Sequence, residues 1–240
     1  MTDADTFLNG QVIVRQPAHG FRAGLDAVML AASVPDAGEA LELGAGSGTA
    51  SLCLAARLPH IIVTGIEIER NLVKLANDNA AVNRMGGRVR FAEADVFALP
   101  PEWKREYECV LINPPFHGAG QAPADATRAR AMMDHGRLAD WLMAGLKRTV
   151  PGGHLTTILK ADRLGEAVAV LPQAGLRVFP LWPKRGEPAV RALLQIRKAS
   201  RAPFRLLPGL ILHEDDGTYT EQADRILRGH GALALAEPPL

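Results

Sequence analysis

The sequence predicts an α/β fold with a doubly wound, mostly parallel sheet that carries an antiparallel hairpin at one edge. Between Glu39 and about Lys160, short apolar runs alternate with amphipathic stretches of helical length, a pattern typical of parallel strands joined by crossover helices. A glycine-rich turn follows the first apolar run. After Gly175, two apolar runs are separated only by residues 183–189. That connection is too short for a crossover helix and therefore predicts an antiparallel pair.

The predicted elements follow one another in a regular order. Five apolar runs predict the parallel strands, at residues 39–43, 61–66, 88–92, 107–112 and 154–159. Helical spacing of apolar residues predicts helices at residues 47–58, about 71–83 and about 138–150. The second of these helices is predicted to carry Leu72, Leu75, Ala76 and Val82 on one side. The antiparallel pair is predicted at residues 176–182 and 190–198.

The two ends of the chain add shorter elements. Residues 24–33 are a helix candidate that an extended segment, residues 11–16, precedes. Thr220 is a plausible cap for a short helix that ends at Arg228, with Gly229 as its stop signal. No internal repeat or low-complexity linker interrupts the pattern. We therefore expect a single domain over residues 1–240, with an N-terminal extension (1–38), a core (39–200) and a C-terminal tail (201–240).

Composition is that of an ordinary globular protein, with 48% hydrophobic and 22% charged residues. The amino terminus lacks the basic and apolar regions of a signal peptide, and no run approaches the roughly 18 apolar residues of a membrane span. We therefore expect a cytoplasmic protein without a membrane partner, as a monomer or homodimer. Cys53 and Cys109 lie in apolar runs without metal-ligand spacing, so no metal site is expected.

Basic residues are concentrated in one part of the chain, although the net charge is only +1. Between Arg177 and Arg205 there are eight basic residues and a single acid, Glu187. Such a stretch is suited to an RNA phosphate backbone, and it is equally suited to protecting sheet edges. Lys184 and Arg185, in the predicted turn of the antiparallel pair, are the candidates for RNA contact.

The tetrapeptide Asn113-Pro114-Pro115-Phe116 directly follows the apolar run 109–112. The Asn113 side-chain oxygen and the Pro114 carbonyl are acceptors for the two N–H bonds of an amino group on a flat ring, which would free its lone pair for attack on an electrophile. Phe116 is suited to stacking on that ring. The prolines restrict the backbone, so the loop is positioned before substrate binds. The alternative is a simple turn, since Asn-Pro is a common turn opener.

Glycines and acids follow the first three predicted strands. Gly44, Gly46 and Gly48 form a GxGxG turn after Glu42, where glycine lets the backbone approach a ligand. Glu67 ends the second strand, and Asp95 follows the third. A carboxylate at the second strand binds ribose hydroxyls in nucleoside-binding folds. Dinucleotide binding is the competing interpretation of the glycines alone.

Together these motifs resemble class I S-adenosylmethionine-dependent methyltransferases, in the branch that methylates planar nitrogens through an Asn-Pro-Pro-Tyr/Phe loop. The resemblance implies a Rossmann-like, seven-stranded sheet with S-adenosylmethionine as the methyl donor. It also implies a catalytic loop at Asn113, Pro114, Pro115 and Phe116. The implied cofactor contacts are Glu42, Gly44, Gly46, Gly48, Glu67, Asp95, Val96 and Asn113.

Two further segments narrow the resemblance. Residues 16–28, which include Asp26, are similar to the entry segment of bacterial enzymes that methylate adenine N6 in valine tRNA, and residues 212–220 are similar to the tail of that group. In such enzymes the entry segment closes over the methionine end of the cofactor, which implies a cofactor contact for Asp26. The expected partner is RNA, most favourably tRNA, whose target base must be splayed out to reach the loop.

Other functions remain open from the sequence. His117 follows Phe116, and Asn-Pro-Pro-Phe-His also occurs in ribosomal RNA guanine-N2 methyltransferases; it is a candidate substrate contact. Protein-glutamine N5 methylation uses the same chemistry. DNA adenine methylation is less favoured, because the chain has no room for a target-recognition domain. A different class is a module that binds S-adenosylmethionine or RNA without catalysis.

Overall fold

The computed structural model describes residues 4–18, 22–115, 138–233 and 235. The chain begins with a hairpin of β1 (Ala4–Phe7) and β2 (Val12–Arg15), paired antiparallel. The central sheet contains β3 (Glu39–Leu43), β4 (Ile62–Glu67), β5 (Val89–Glu93), β6 (Tyr107–Ile112), β7 (Thr149–Lys160), β8 (Leu176–Trp182), β9 (Arg191–Arg197), β10 (Arg205–Leu206) and β11 (Leu210–Ile211). Six described helices accompany them: α1 (Leu25–Ser33), α2 (Thr49–Arg57), α3 (Arg70–Val82), α4 (Leu138–Lys147), α5 (Leu164–Val170) and α6 (Glu221–Leu227).

The sheet is doubly wound around a parallel centre, as predicted. Its strand order is β10-β8-β9-β7-β6-β3-β4-β5, and β11 also pairs with β8. The strands β7, β6, β3, β4 and β5 are mutually parallel, whereas β9 is antiparallel to both β7 and β8. Order along the chain reverses between β3 and β6, and in open α/β sheets this switch point is where ligands bind.

The antiparallel pair lies deeper in the sheet than the sequence indicates. The later strand, β9, lies between β7 and β8. Two-residue strands, β10 and β11, then pair in parallel with the outer side of β8. The sheet therefore has nine strands instead of the seven implied by the resemblance, because the chain beyond residue 200 covers the edge of the predicted hairpin.

Apolar layers cover both faces of the sheet. One hydrophobic cluster joins the sheet to α1, α2 and the N-terminal hairpin, and a second joins it to α4 and α5. Helix α3 differs from its prediction: its buried residues are Ala76, Asn79 and Ala80, whereas Val82 is 46% exposed. The buried face is rotated because Asn79 serves as a hydrogen-bonding group toward β2.

The two ends of the strands define two ends of the sheet. The "carboxyl end" is where β3, β4, β6, β7 and β8 finish and where the antiparallel β9 begins, since Lys160 pairs with Arg191. The "amino end" is the opposite side, where His154 of β7 pairs with Arg197 of β9. All predicted site residues from β3, β4, β5 and β6 lie at the carboxyl end.

Candidate active site

The glycine turn after β3 is built by three residues in the left-handed region. Gly44, Gly46 and Gly48 have φ values of 74°, 55° and 83°, which favour glycine. A side chain on Gly48 would meet Phe91 at 2.5 Å, and one on Gly44 would meet Trp141 at 3.0 Å. At Gly46 no atom lies within 4 Å of that position. The turn is therefore packed from beneath at Gly44 and Gly48, and open at Gly46.

Glu67, at the end of β4, ties the glycine turn to the neighbouring strand. Its Oε2 accepts a hydrogen bond of 2.8 Å from the Gly46 amide, and its Oε1 accepts from the amides of Ile68 and Glu69 at 2.8 and 3.0 Å. The residue is only 8% exposed. Because each carboxylate oxygen accepts two hydrogen bonds, Oε2 keeps capacity for one more donor at the open side of the turn.

Glu42 supports the turn from below. It is 2% exposed, and its Oε2 accepts hydrogen bonds from the amide and the hydroxyl of Ser51 in α2. Burial raises the pKa of Glu42 to about 7, against the opposing effect of the Ser51 hydrogen bonds. The structure therefore places Glu42 as a buried link between β3 and α2, and its predicted cofactor contact stays a prediction.

Asn79 is a site residue that sequence reasoning missed. Its side chain is 1% exposed and donates to the Ser47 carbonyl in the glycine turn at 3.0 Å and to the Arg15 carbonyl at 2.9 Å. Its Oδ1 accepts from the Arg15 amide at 2.9 Å. One side chain thus holds both β2 and the glycine turn. The signal was an asparagine at the apolar spacing of α3.

A second buried amide fixes the entry segment. Gln16 is 1% exposed; it accepts from the Ala23 amide at 2.7 Å and donates to the Ala23 carbonyl at 3.0 Å. It also donates to Asp5 of β1 at 2.7 Å. These bonds join Gln16, which directly follows β2, to β1 and to Ala23, which lies just before α1.

Asp26 lies in the first turn of α1, at the carboxyl end of the sheet. Its Oδ2 accepts from Arg191 Nε of β9 at 2.9 Å, and the two side chains are 18% and 29% exposed. Asp26 therefore lies at the same end of the sheet as the other predicted site residues, with Arg191 as its partner, and its cofactor contact stays a prediction.

The two cofactor contacts implied after β5, Asp95 and Val96, lie at a short helical turn. Asp95 caps the 3₁₀ turn Val96–Ala98 and accepts from the Phe97 amide at 2.8 Å. Val96 is 8% exposed. Ile68, which directly follows Glu67, is 56% exposed, and a single exposed isoleucine forms no recognisable sequence motif.

Asn113 follows β6 beside the glycine turn. Leu43 and Ile112 are the last paired residues of β3 and β6, so Gly44 and Asn113 begin neighbouring loops. The Asn113 Oδ1 atom is buried and has no hydrogen-bond partner among the described residues, a state that is rare because an unpaired buried acceptor costs about 1–3 kcal/mol. Pro114 is buried and Pro115 half-buried. Phe116 and His117 lie outside the described residues.

The predicted RNA contacts lie farther out. Lys184 and Arg185 line a cleft of about 800 Å³ beyond the end of β8, together with Glu187, Glu214 and Glu221. Lys184 donates to the Asp215 carbonyl at 2.8 Å. Three strand spacings separate β8 from β6, or about 14 Å. The structure therefore does not bring these residues together with Asn113.

Within the described ranges, no group of three or more His, Cys, Asp or Glu residues is arranged to hold a metal ion. Cys53 and Cys109 are free and buried, and burial raises the pKa of Cys109 to about 12. Among the helices that the structure describes, none is long and apolar enough to cross a membrane.

Comparison with known proteins relates this architecture to methyltransferases. Residues 23–139 match the family model of the methyltransferase small domain. The tRNA1(Val) (adenine(37)-N6)-methyltransferase of Klebsiella pneumoniae strain 342 is 30% identical over 63% of this chain, a match that spans 64% of that relative. The protein of the same name from Dickeya chrysanthemi strain Ech1591 is 26% identical over 91% of this chain and 90% of its own length.

Structural comparison agrees. The crystal structure of a predicted O-methyltransferase from Agrobacterium tumefaciens superposes with a TM-score of 0.71 and 28% identity, and covers 87% of this chain and 98% of that one. The predicted fold class, an α/β fold with a mostly parallel sheet, is thus confirmed.

Proposed function

We propose that this chain, which has the fold of class I methyltransferases, methylates the exocyclic N6 nitrogen of an adenine in tRNA, with S-adenosylmethionine as the methyl donor. The observation that carries the proposal is the buried Asn113 Oδ1, which has no partner in the described part of the chain and lies one strand from the open glycine turn. A free acceptor at this place is suited to an incoming N–H donor.

The described residues fit the methyl donor. Gly46 leaves open space above the turn, and Glu67 Oε2 retains acceptor capacity for a ribose hydroxyl. The exposed Ile68 offers an apolar surface for a flat ring, and Asp95 stands at the end of the next strand. When bound, S-adenosylmethionine would supply an electrophilic methyl group at a sulfonium centre.

The chain's own contribution is orientation. Asn113 Oδ1 and the Pro114 carbonyl each accept one N–H of the amino group, which directs the nitrogen lone pair away from both acceptors and toward the open side of the glycine turn. The nitrogen loses its proton after methyl transfer, so no strong base is required beforehand. The prolines hold both acceptors in place, and this pre-positioning lowers the barrier.

The choice of adenine in tRNA is supported by the relatives named tRNA1(Val) (adenine(37)-N6)-methyltransferase that align with about nine-tenths of the chain. The acceptor pair alone would also suit guanine N2 or a glutamine amide. A tRNA substrate would place the enzyme in the cytoplasm.

Identification of the methylated product tests the proposal. The protein is incubated with labelled S-adenosylmethionine and separate pools of unmodified tRNA, ribosomal RNA, DNA and peptides, and the products are digested and identified. We expect N6-methyladenosine from the tRNA pool. N2-methylguanosine or methylglutamine as the main product would overturn the substrate, and saturable cofactor binding without transfer to any pool would overturn the enzyme.

A further inference from the structure

A cluster of basic side chains lies at the amino end of the sheet, away from the proposed active site. Strand register places its members on one face: Arg197 pairs with His154, Arg177 pairs with Gln195 two residues before Arg197, and Arg205 pairs with Arg177. Directly paired side chains lie about 5 Å apart and diagonal ones about 7–8 Å apart. Like charges at such positions repel each other, so the cluster has a cost in the isolated chain.

Arg177 is the unusual member of this cluster. It is only 8% exposed, and none of the described carboxylates forms an ion pair with it or with Arg197. Arginine is seldom so buried without an anionic partner. Burial of its stem also means that its side chain is already ordered, so that an anion would bind without ordering it further.

His154 lies in the same cluster, opposite Arg197 in the neighbouring strand. Its pKa is lowered to about 4, first by burial and then by the charges of Arg197 and Arg177. At neutral pH the imidazole is therefore uncharged and still offers one N–H donor. Arg197 is exposed and donates through Nε to the Gly152 carbonyl, which leaves its other donors for a ligand.

We propose that Arg177, Arg197 and His154 form a binding site for a phosphate group of the tRNA backbone. That the phosphate belongs to tRNA depends on the proposed function, whereas the preference for a phosphate group depends on the cluster alone. Guanidinium groups bind phosphate through paired N–H donors. The cleft at Lys184 and Arg185 is less suited to this role because Glu187, Glu214 and Glu221 also line it.

The position of the cluster suits a second contact with a large substrate. Arg177 lies near the start of β8, and Trp182, at the end of that strand, is five residues or about 17 Å farther along it. Asn113 lies another three strand spacings, or about 14 Å, across the sheet. A tRNA with its target base at the carboxyl end would present other backbone phosphates at distances of this order. The site would therefore add affinity without touching the reacting atoms.

Salt-dependent binding of unmodified tRNA to the full chain tests this site. We expect Arg177→Gln to weaken tRNA binding about fivefold and to reduce the slope of log affinity against log salt by about 1, as loss of one phosphate contact does. Arg177→Lys should retain part of both because the charge remains. Lys147→Gln, which removes an exposed charge from α4 on the other face of the sheet, is the matched control. Equal behaviour of Arg177→Gln and Lys147→Gln would overturn the proposal.

Titration with inorganic phosphate, followed by NMR through the imidazole resonances of His154, distinguishes a site for a tRNA phosphate from a site for free anions. We expect the resonances to shift in the wild type and not in Arg177→Gln. A phosphate response with unchanged tRNA affinity in Arg177→Gln would identify a site for free anions and overturn the RNA assignment. Arg177-dependent tRNA binding in a protein that methylates no RNA would support this site and refute only the proposed function.

Discussion

The ends of β3 and β6 lie side by side, yet their polar groups are in opposite states. Around the glycine turn after β3, Glu67, Glu42 and Asn79 are all engaged in hydrogen bonds within the protein. After β6, the buried Asn113 Oδ1 has no partner within the described ranges. The first region is organised by hydrogen bonds within the chain, whereas the second has an acceptor that an N–H donor of a ligand would complete.

The largest expected effect is loss of turnover in Asn113→Ala. Removal of one acceptor aimed at the reacting amino group should reduce kcat by about 10²–10³, in the range for one pre-positioned hydrogen-bonding group at an active site. Cofactor affinity should change by less than about threefold. The substitution leaves no new buried acceptor unpaired, because Oδ1 has no partner in the wild type, so the free energy of unfolding should not fall for that reason. Steady-state kinetics, calorimetry and urea unfolding measure the three quantities.

Two outcomes would contradict the contrast between these regions. Near-normal turnover of Asn113→Ala on tRNA would show that the Asn113 side chain does not orient the target amino group. A large loss of cofactor affinity would show that Asn113, like the glycine turn, serves to bind the cofactor.

Glu67→Gln should show the converse pattern. The glutamine side chain has one acceptor oxygen where the carboxylate has two. At least one of the backbone N–H groups of Gly46, Ile68 and Glu69 would therefore face the glutamine NH₂ group instead of an acceptor. We expect the cofactor Kd to rise about 10- to 100-fold, equivalent to about 1.4–2.8 kcal/mol. Calorimetric titration with S-adenosylmethionine measures it, and an unchanged Kd would show that the carboxylate serves only the turn.

Asn79 and Asn83 give a matched pair on α3. Asn83 bonds only to Ile13 and to its own helix, whereas Asn79 also holds Ser47. Asn79→Ala should lower the free energy of unfolding by about 2–4 kcal/mol and raise the cofactor Kd. Asn83→Ala should lower stability by less and leave the Kd unchanged. Equal effects of the two variants on the Kd would show that Asn79 holds only the N-terminal hairpin and does not support cofactor binding through Ser47.

The last expected effect concerns pH and Glu42. Its pKa rises from 4.5 to about 7 on folding, so as the pH rises the unfolded chain loses this proton at a lower pH than the folded chain. The free energy of unfolding therefore has its full contribution from Glu42 below about pH 4.5. It declines between pH 4.5 and about pH 7, by about 3 kcal/mol in total. Glu42→Gln should remove this decline and unfold less readily than the wild type at pH 8. Parallel stability curves for the two proteins from pH 5 to 8 would contradict the assignment.

Periodicity was sufficient for the long, regular parts of the fold. The strands Glu39–Leu43, Tyr107–Ile112 and Leu176–Trp182 have their predicted bounds, because continuous apolar runs are typical of strands buried on both faces. The glycine turn and Asn113 were accessible as motifs, since both depend on residues adjacent in sequence.

Long-range relations were not accessible in the same way. The two-residue strands β10 and β11 are too short to produce a periodic signal. Asn79 was hidden among the apolar positions of α3. The basic stretch between Arg177 and Arg205 is divided between the two ends of the sheet because β9 runs antiparallel, so charges near in sequence lie far apart.

The most direct test of the central claim is a thermodynamic cycle between Asn113 and the target amino group. Binding of tRNA with adenine at the mapped target position is compared with binding of tRNA that carries purine there and lacks the amino group, for the wild type and Asn113→Ala. We expect the wild type to prefer adenine about tenfold, equivalent to about 1.4 kcal/mol, and the variant to show no preference. An equal preference in both proteins would show that Asn113 does not accept a hydrogen bond from the target base.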